Sequence, residues 1–266
     1  MLKAELPAAR IARYDECGIH AWVLRDAADP THLRVAGSYC HDRWCVACAN
    51  ERSRRIASAI TAHLADRRAR FITLTLRHSD DPLADQLDRL LKSFARLRTR
   101  AFWRSCVTGG VACVELKWIQ GSREWHPHIH CIVEGNFIPR RELSKTWHSI
   151  TGDSFITDVR SARSTADVAD YVAKYASKPF TRSLAADSEA LLEAIQSLHH
   201  RRLVILFGSW SNVDLDGPDD DTEWLPVSSL YDIIRRAAAG ERFARGVLAR
   251  LQEHRSCPQP KCSRAP

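Results

Sequence analysis

The sequence has no long hydrophobic run. Leu203 to Phe207 is a run of only five residues, far short of the roughly 18 a membrane helix needs. Met1 to Ala9 lack the apolar core of a signal peptide, so the expected setting is a reducing cytoplasm with no membrane partner. No segment repeats and no Walker A pattern is present, so nucleotide-driven unwinding would have to come from another protein. Full disulfide pairing is excluded by an odd cysteine count of 9; clustered thiols in a reducing compartment are better read as metal ligands. Acidic residues are in deficit, 32 against 39 lysines and arginines, for a net charge of +7, which suits contact with a polyanion. Otherwise the 266 residues are an ordinary globular mixture, 45% hydrophobic and 27% charged, enough for one large domain or two.

Three cysteines fall in Cys40-His-Asp-Arg-Trp-Cys45-Val-Ala-Cys48, and the two-residue gap between Cys45 and Cys48 is the knuckle spacing that puts two thiolates on one tetrahedral zinc. A structural site needs a fourth ligand. Cys17 is the nearest unassigned cysteine, followed by Gly18, with His20 and His41 as competitors. Two strand-like runs, Ala21 to Arg25 and Leu33 to Tyr39, predict a hairpin that would bring Cys17 to Cys40. The next stretch reads as a helix up to Arg70, and it is the most basic part of the chain: Arg52, Arg54, Arg55, Arg67, Arg68 and Arg70. Beside a zinc module it is a candidate nucleic-acid contact; alone it would be a solvated helix face.

The remaining pattern alternates. Phe71 to Leu76 reads as a strand, Pro82 to Arg104 as a helix with an apolar stripe, and Val111 to Ile119 and Trp125 to Glu134 as paired strands. A short helix over Pro139 to His148, a strand over Phe155 to Arg160 and a helix capped by Ser164 or Thr165 and reaching Lys178 complete a β-α-β-β-α-β-α order. That order predicts an α+β fold: a ferredoxin-like split βαβ antiparallel sheet with helices packed on it. Further on, Ala185 to His199 looks helical, Arg202 to Phe207 strand-like, Asp214 to Glu223 an acidic loop and Ser228 to Glu253 an amphipathic helix. The division is a zinc-binding module and basic helix (1–70), a catalytic domain (71–180) and a C-terminal extension (181–266).

The most specific feature is Trp125-His126-Pro127-His128-Ile129-His130. Alternate residues of a strand share a face, so His128 and His130 project together. If Gly121-Ser122 is a two-residue turn, facing residue numbers sum to 243 and Glu115 faces His128; a four-residue loop over Gly121 to Glu124 gives 245 and pairs Glu115 with His130. Either register puts Glu115 on the histidine face; only an odd-length loop would turn it away. Two imidazoles and a carboxylate can hold a divalent ion and leave positions for water and phosphate oxygens, with His126 in reserve.

In Asp170-Tyr171-Val-Ala-Lys174-Tyr175-Ala-Ser-Lys178, Tyr171, Lys174, Tyr175 and Lys178 lie within about 100° of helix arc, with Val168, Val172 and Ala176 on the adjacent face. On an isolated helix these tyrosines would be read as half-buried packing and the lysines as solvated. Beside a metal site in a basic chain they suggest tyrosine nucleophiles acting on a phosphodiester.

Together these motifs resemble the HUH endonucleases, in particular the replication initiators of rolling-circle plasmids. Phe71-Ile-Thr-Leu-Thr is similar to their first motif, His126-Pro-His128-Ile-His130 to the second, and Tyr171-Val-Ala-Lys174-Tyr175 to the third. Cys17, Cys40, Cys45 and Cys48 are similar to the zinc module many of them carry. The resemblance implies Mg²⁺ or Mn²⁺ held by His128, His130 and Glu115, a structural Zn²⁺ on the four cysteines, and Tyr171 and Tyr175 as nucleophile pair with Lys174 beside the phosphotyrosine. Arg52, Arg54, Arg55 and Lys178 would contact DNA. The reaction implied is nicking of origin DNA, single-stranded at the nick, through a 5′-phosphotyrosine that leaves a 3′-OH primer, with host helicase and DNA polymerase as partners. Some zinc-bearing initiators have glutamate where Tyr171 stands, which makes Tyr175 the nucleophile; phage initiators and two-tyrosine transposases have both, and comparison with them favours Tyr171. A two-tyrosine HUH transposase is therefore an alternative, and a non-catalytic zinc-ribbon nucleic-acid-binding protein is another.

Overall fold

The structure is a computed structural model that describes residues 7–65, 67–176, 182–216 and 222–253. The chain runs through α1 (Ala8–Asp15), the short strands β1 (Trp22–Asp26) and β2 (Leu33–Ala36), and a long helix, α2 (Val46–Leu64). Then come β3 (Ala69–Thr75), α3 (Leu83–Thr99), α4 (Ala101–Cys106), β4 (Val107–Ile119) and β5 (Glu124–Gly135). These are followed by α5 (Arg140–Thr151), β6 (Thr157–Ser161), α6 (Thr165–Tyr175), α7 (Arg182–Ala185) and α8 (Ser188–Ser197). The last described elements are β7 (Val204–Gly208), β8 (Trp224–Ser229), α9 (Leu230–Ala238) and α10 (Arg242–Glu253). The fold is thus mixed α+β with antiparallel sheets, as the element order implied. Packing divides the chain into one unit over Arg52–Leu215 and another that joins Lys3–Glu51 to Asp216–Pro266. These packing boundaries fall elsewhere than the motif-based limits at 70 and 180.

The first unit is built on a five-stranded sheet in the order β6-β3-β5-β4-β7, antiparallel at every step. β5 is inserted between β3 and β4, the two strands that the α3–α4 segment connects. The strands alternate as pleating demands. Ile72 and Leu74 of β3 and Ile129, Cys131 and Val133 of β5 are buried on one face, covered by α3, whose stripe Leu83, Leu87, Leu90, Phe94 and Leu97 is buried. Phe94 meets Phe207 of β7 edge-on with ring centroids 5.6 Å apart, and the Trp147 indole of α5 donates to the Thr75 carbonyl at 2.9 Å.

The other face is divided. Toward one end, Ile56, Ala57, Ile60 and Leu64 of α2, Val168 and Val172 of α6 and Ala176 just after it pack with Val111, Cys113, Ile132 and Trp210 in a single apolar cluster. Burying the largest of these side chains stabilises the unit by roughly 1.5–3 kcal/mol each. Toward the other end the same face carries His126, His128, Glu115 and Lys117. Ser164 caps α6, its hydroxyl accepting from the Asp167 N–H at 3.1 Å, and the helix ends at Tyr175; Lys178 lies outside the described residues.

The second unit has a three-stranded sheet in the order β2-β1-β8, with the expected β1–β2 hairpin pairing Trp22 to Ala36. Val23 and Leu33 pack against Ile233, Ala237, Ala244 and Val247 of α9 and α10. Several sequence expectations are corrected. β8 fills the interval between the expected loop and helix, for which no element was expected; it is an edge strand, where its Pro226 costs least. The helix expected over Ser228 to Glu253 is two helices, broken at Gly240 with φ +95°, a left-handed stop that glycine adopts without penalty. The helix over Pro82 to Arg104 is interrupted at Arg100, whose backbone is extended. Arg70 belongs to β3 and not to the basic helix.

Gly208 closes β7 with φ +62°, and an added Cβ would lie 2.2 Å from the Thr108 carbonyl oxygen, whereas one at Gly121 meets nothing within 4 Å. Gly208→Ala is therefore expected to destabilise the protein by about 1–3 kcal/mol, read as a lower urea midpoint at unchanged slope, while Gly121→Ala leaves the midpoint close to wild type.

Candidate active site

The β4–β5 pairing places Cys113 opposite His130, Glu115 opposite His128 and Lys117 opposite His126. This is the register in which facing numbers sum to 243, reached with a loop over Gln120 to Arg123, since Ile119 still pairs with Glu124. Trp125, between Glu124 and His126, is buried on the opposite face, and its indole donates to the Glu193 carboxylate at 2.8 Å. The three imidazoles therefore stand in a row, with ring centroids 6.3 Å apart from His126 to His128 and 6.2 Å from His128 to His130.

His130 is the most connected of them. Its Nε2 lies 2.8 Å from Glu115 Oε2, while Nδ1 is 3.1 Å from the Tyr171 hydroxyl and 3.2 Å from Thr73 Oγ1. With the carboxylate accepting, Nε2–H donates and Nδ1 accepts from the two hydroxyls. Burial disfavours the Glu115 carboxylate, but the hydrogen bond from His130, helped by positive charge that includes the Lys174 ammonium, holds its pKa below the usual range. His128 Nδ1 sits 3.0 Å from the His126 carbonyl, which can only accept, so Nδ1 carries the proton and Nε2 keeps a lone pair. Burial, aided by His130, pushes the His128 pKa down to about 4, leaving the ring neutral, the form that binds metal.

Two of these donors, His130 Nε2 and Glu115 Oε2, are spaced as neighbouring ligands of a divalent ion would be. A separation of 2.8 Å between His130 Nε2 and Glu115 Oε2 is close to the edge of an octahedron with bonds of about 2.1 Å. His128 is the member that stands off, since the three ligand atoms are not among the groups gathered within 4.8 Å of one another. Its ring is parallel to that of His130, at 5°, and must tilt before both nitrogens can reach one ion.

Both tyrosines of α6 meet His130. The Tyr175 ring stacks on the His130 ring, centroids 3.6 Å apart and 14° from parallel. The Tyr171 ring lies flat on Phe71, 4.2 Å away at 17°, and its hydroxyl is raised above the ordinary tyrosine range, mainly by burial. Lys174 Nζ is 4.8 Å from the Tyr175 ring centre; a hydrogen bond to the Tyr175 hydroxyl, then that oxygen's charge, raises the ammonium pKa. Sequence reasoning gave no role to Thr73 or to the Phe71 ring. Both were legible as the alternate residues of the first motif, but their partners depend on the β3–β5 register, in which Thr73 faces His130.

In the second unit, Cys17, Cys40, Cys45 and Cys48 form a group able to hold a metal. Cys17 Sγ lies 3.6 Å from Cys45 Sγ and 3.6 Å from Cys48 Sγ, and Cys40 is 3.7 Å from Cys48. Those separations match the roughly 3.8 Å edge of a tetrahedron of thiolates about 2.3 Å from a zinc ion. Gly18, φ +82°, donates to the Ser38 carbonyl at 2.7 Å and so joins the Cys17 turn to the Cys40 turn. Asp42 N–H donates to Cys40 Sγ at 3.4 Å. Cys17 is thus the fourth member, and His20 and His41 are not in the group. Cys113 and Cys131 are buried in the other unit, and burial raises the Cys113 thiol to about 12; these are core thiols. Arg52 and Arg54 are exposed on α2 and Arg55 is half-buried.

The model of a replication protein family (Rep_1) matches residues 32–231 of the chain, a span that takes in the cysteine knuckle, the histidine strand and the tyrosine helix. "Protein rep" of Streptococcus pneumoniae serotype 2 is 26% identical over an alignment of 175 residues, which takes in 58% of this chain and 54% of that protein. The chain thus spans about half the length of that relative. No solved structure matches.

If the four sulfurs share one ion, Cys17→Ser should weaken its retention by more than the roughly 10–100-fold that outer-shell changes cost. Metal content after dialysis against a chelator, measured by mass spectrometry, checks this; unchanged retention would remove Cys17 from the ligand set.

Proposed function

The chain belongs to the Rep_1 replication protein family, and from that premise we propose that it initiates rolling-circle replication of a plasmid by nicking one strand of the origin. The observation that carries this reading is the meeting of Tyr171, Tyr175, His130 and Glu115 on one sheet face. We read the β6-β3-β5-β4 order as the ferredoxin-like split βαβ of HUH endonucleases, with residues 71–180 supplying the catalytic machinery. Mg²⁺ or Mn²⁺ held by Glu115, His128 and His130 would polarise the phosphate and offset the charge of the departing oxygen.

Tyr175 is the better first nucleophile. Tyr171 is pressed on Phe71 and its phenol is harder to ionise through burial, while Tyr175 has the Lys174 ammonium beside it to offset the charge of the phosphotyrosine that follows. The Tyr175 oxygen attacks phosphorus, the P–O3′ bond breaks, and the 3′-oxygen takes up a proton to become the primer hydroxyl. The 5′ phosphate stays on Tyr175. Tyr171 would then cleave the regenerated nick site, and the 3′-hydroxyl so released attacks the phosphotyrosine at Tyr175, closing the displaced strand and freeing Tyr175 without water. Stacking of Tyr175 on His130 fixes the approach of its oxygen, a positioning effect that can lower a barrier by several kcal/mol.

Origin DNA, single-stranded at the nick, is the partner this chemistry needs, with host helicase and polymerase completing the round in the cytoplasm. Arg52, Arg54, Arg55 and Lys178 would contribute sequence-independent phosphate contacts, and the cysteine site a structural Zn²⁺. A two-tyrosine transposase would use the same face on element ends, so the substrate discriminates between the two.

The test is to incubate the full chain with Mn²⁺ and single-stranded oligonucleotides spanning the origin of its replicon, then to look for a protein–DNA adduct on a denaturing gel. Wild type should form it. Tyr175→Phe should lose it by about 1,000-fold or more, as removal of a nucleophile does, and Tyr171→Phe should still make the first adduct. Adduct retained in Tyr175→Phe and lost in Tyr171→Phe reverses the assignment. No adduct from wild type on origin DNA overturns the nickase and favours a zinc-dependent DNA-binding protein.

A further inference from the structure

The nicking chemistry leaves one group of metal-ligating side chains unused. His78, Glu124 and His126 each offer a ligand atom, and the three atoms lie within 4.8 Å of one another. They come from two separate parts of the chain. Glu124 and His126 are alternate residues at the start of β5 and share the histidine face. His78 stands in the loop between β3 and α3, beyond the point where Thr75 pairs with His128. That loop is fixed on both sides of His78. The Arg77 N–H donates to Ser154 Oγ at 2.8 Å, and the buried Gln86 amide donates to the Ser79 and Asp81 carbonyls at 3.1 and 2.7 Å. The imidazoles of His78 and His126 meet with ring centroids 3.4 Å apart and planes at 63°.

A second observation points to a ligand. His126 Nε2 is shut off from solvent and has no hydrogen-bond partner. A buried polar atom left so is destabilising, and an ion shared with His78 and Glu124 would satisfy it. Lys117 faces His126 across the hairpin, but its side chain is exposed, so its ammonium can stay in water.

We propose that His78, Glu124 and His126 form a second divalent-metal site in this unit, separate from Glu115, His128 and His130 and from the four cysteines. Two imidazoles and one carboxylate suit a borderline transition ion such as Zn²⁺ better than Mg²⁺. Three protein ligands leave the fourth tetrahedral position open. The ion ties the loop after β3 to the hairpin end of β5, next in the histidine row to His128. This inference does not rest on the nickase reading, because ion binding is read without DNA.

The full chain is dialysed against Zn²⁺, freed of loose metal, and its zinc counted by mass spectrometry, with hydrogen exchange followed in the loop from Arg77 to Pro82. Wild type should hold one zinc more per chain than His78→Ala or Glu124→Gln, and His128→Ala should keep that zinc. His78 is exposed, so its replacement leaves the core intact; circular dichroism checks folding, and Glu124→Gln provides an isosteric second variant. Loop exchange should slow on zinc addition in wild type and not in His78→Ala. Equal zinc counts in wild type and both variants overturn the proposal. So does loss of that zinc in His128→Ala with retention in His78→Ala, which places the ion at the other set.

Discussion

The chemistry of the histidine face depends on the two-residue period of one β-hairpin. Because facing residues keep an odd sum from the Gly109–Glu134 pair to the Ile119–Glu124 pair, odd-numbered β4 residues and even-numbered β5 residues share a face there. Glu115, His126, His128 and His130 are therefore together. A slip of one residue on β5 would drive the histidines into the layer under α3 and expose Ile129 and Cys131, both fully buried. Burying unpaired imidazoles costs several kcal/mol, and exposing those side chains forfeits a comparable amount. The register is thus held by the core behind the site, and the indole of Trp125 on Glu193 adds a polar anchor at the same strand end.

The helix that carries the tyrosines is set by the same division of apolar from polar. Val168, Val172 and Ala176 are four residues apart and buried in one cluster with Val111, Cys113 and Ile132. That stripe fixes the rotation of α6 about its axis. Tyr171 and Tyr175, three residues beyond Val168 and Val172, then fall at the margin of the apolar cover, where Phe71 and His130 meet them. One side of each ring takes part in the core while its hydroxyl is near polar groups, which is how an amphipathic side chain bridges packing and chemistry.

How much of this was legible in the sequence follows from the range of each signal. The pleat of His126-Pro-His128-Ile-His130, the 3.6-residue stripe of α6 and the knuckle of Cys45 and Cys48 are local patterns, and they were readable. The parity argument reached further, to Glu115, because a hairpin couples two strands through a short loop whose length has only two relevant parities. Cys17 was reachable through the hairpin between it and Cys40. By contrast, the partnership of His78 with His126 depends on how β3 runs beside β5, strands separated by two helices and a third strand, and nothing local encodes that. β8 pairs with β1, some two hundred residues earlier, and nothing local encodes that partner. The restart at Gly240 was written in the sequence as glycine but masked by an apolar period that continues across it.

The histidine row also constrains what one ion can do. Ligands on a common ion with bonds of about 2.1 Å lie at most about 4.2 Å apart. Neighbouring rings in the row are 6.3 and 6.2 Å apart at their centres, and His126 and His130 stand at about twice that spacing. No single ion can take both ends. His130 is turned toward Glu115 and the tyrosines, and His126 toward His78 and Glu124. His128, with its Nδ1 engaged by a carbonyl and its Nε2 lone pair available, stands between the two groups and can join one only by tilting away from the other. In a strand three alternate histidines are equivalent by sequence; here the neighbouring strand, loop and helix make them unequal, and that inequality is what separates the chemistry along this face.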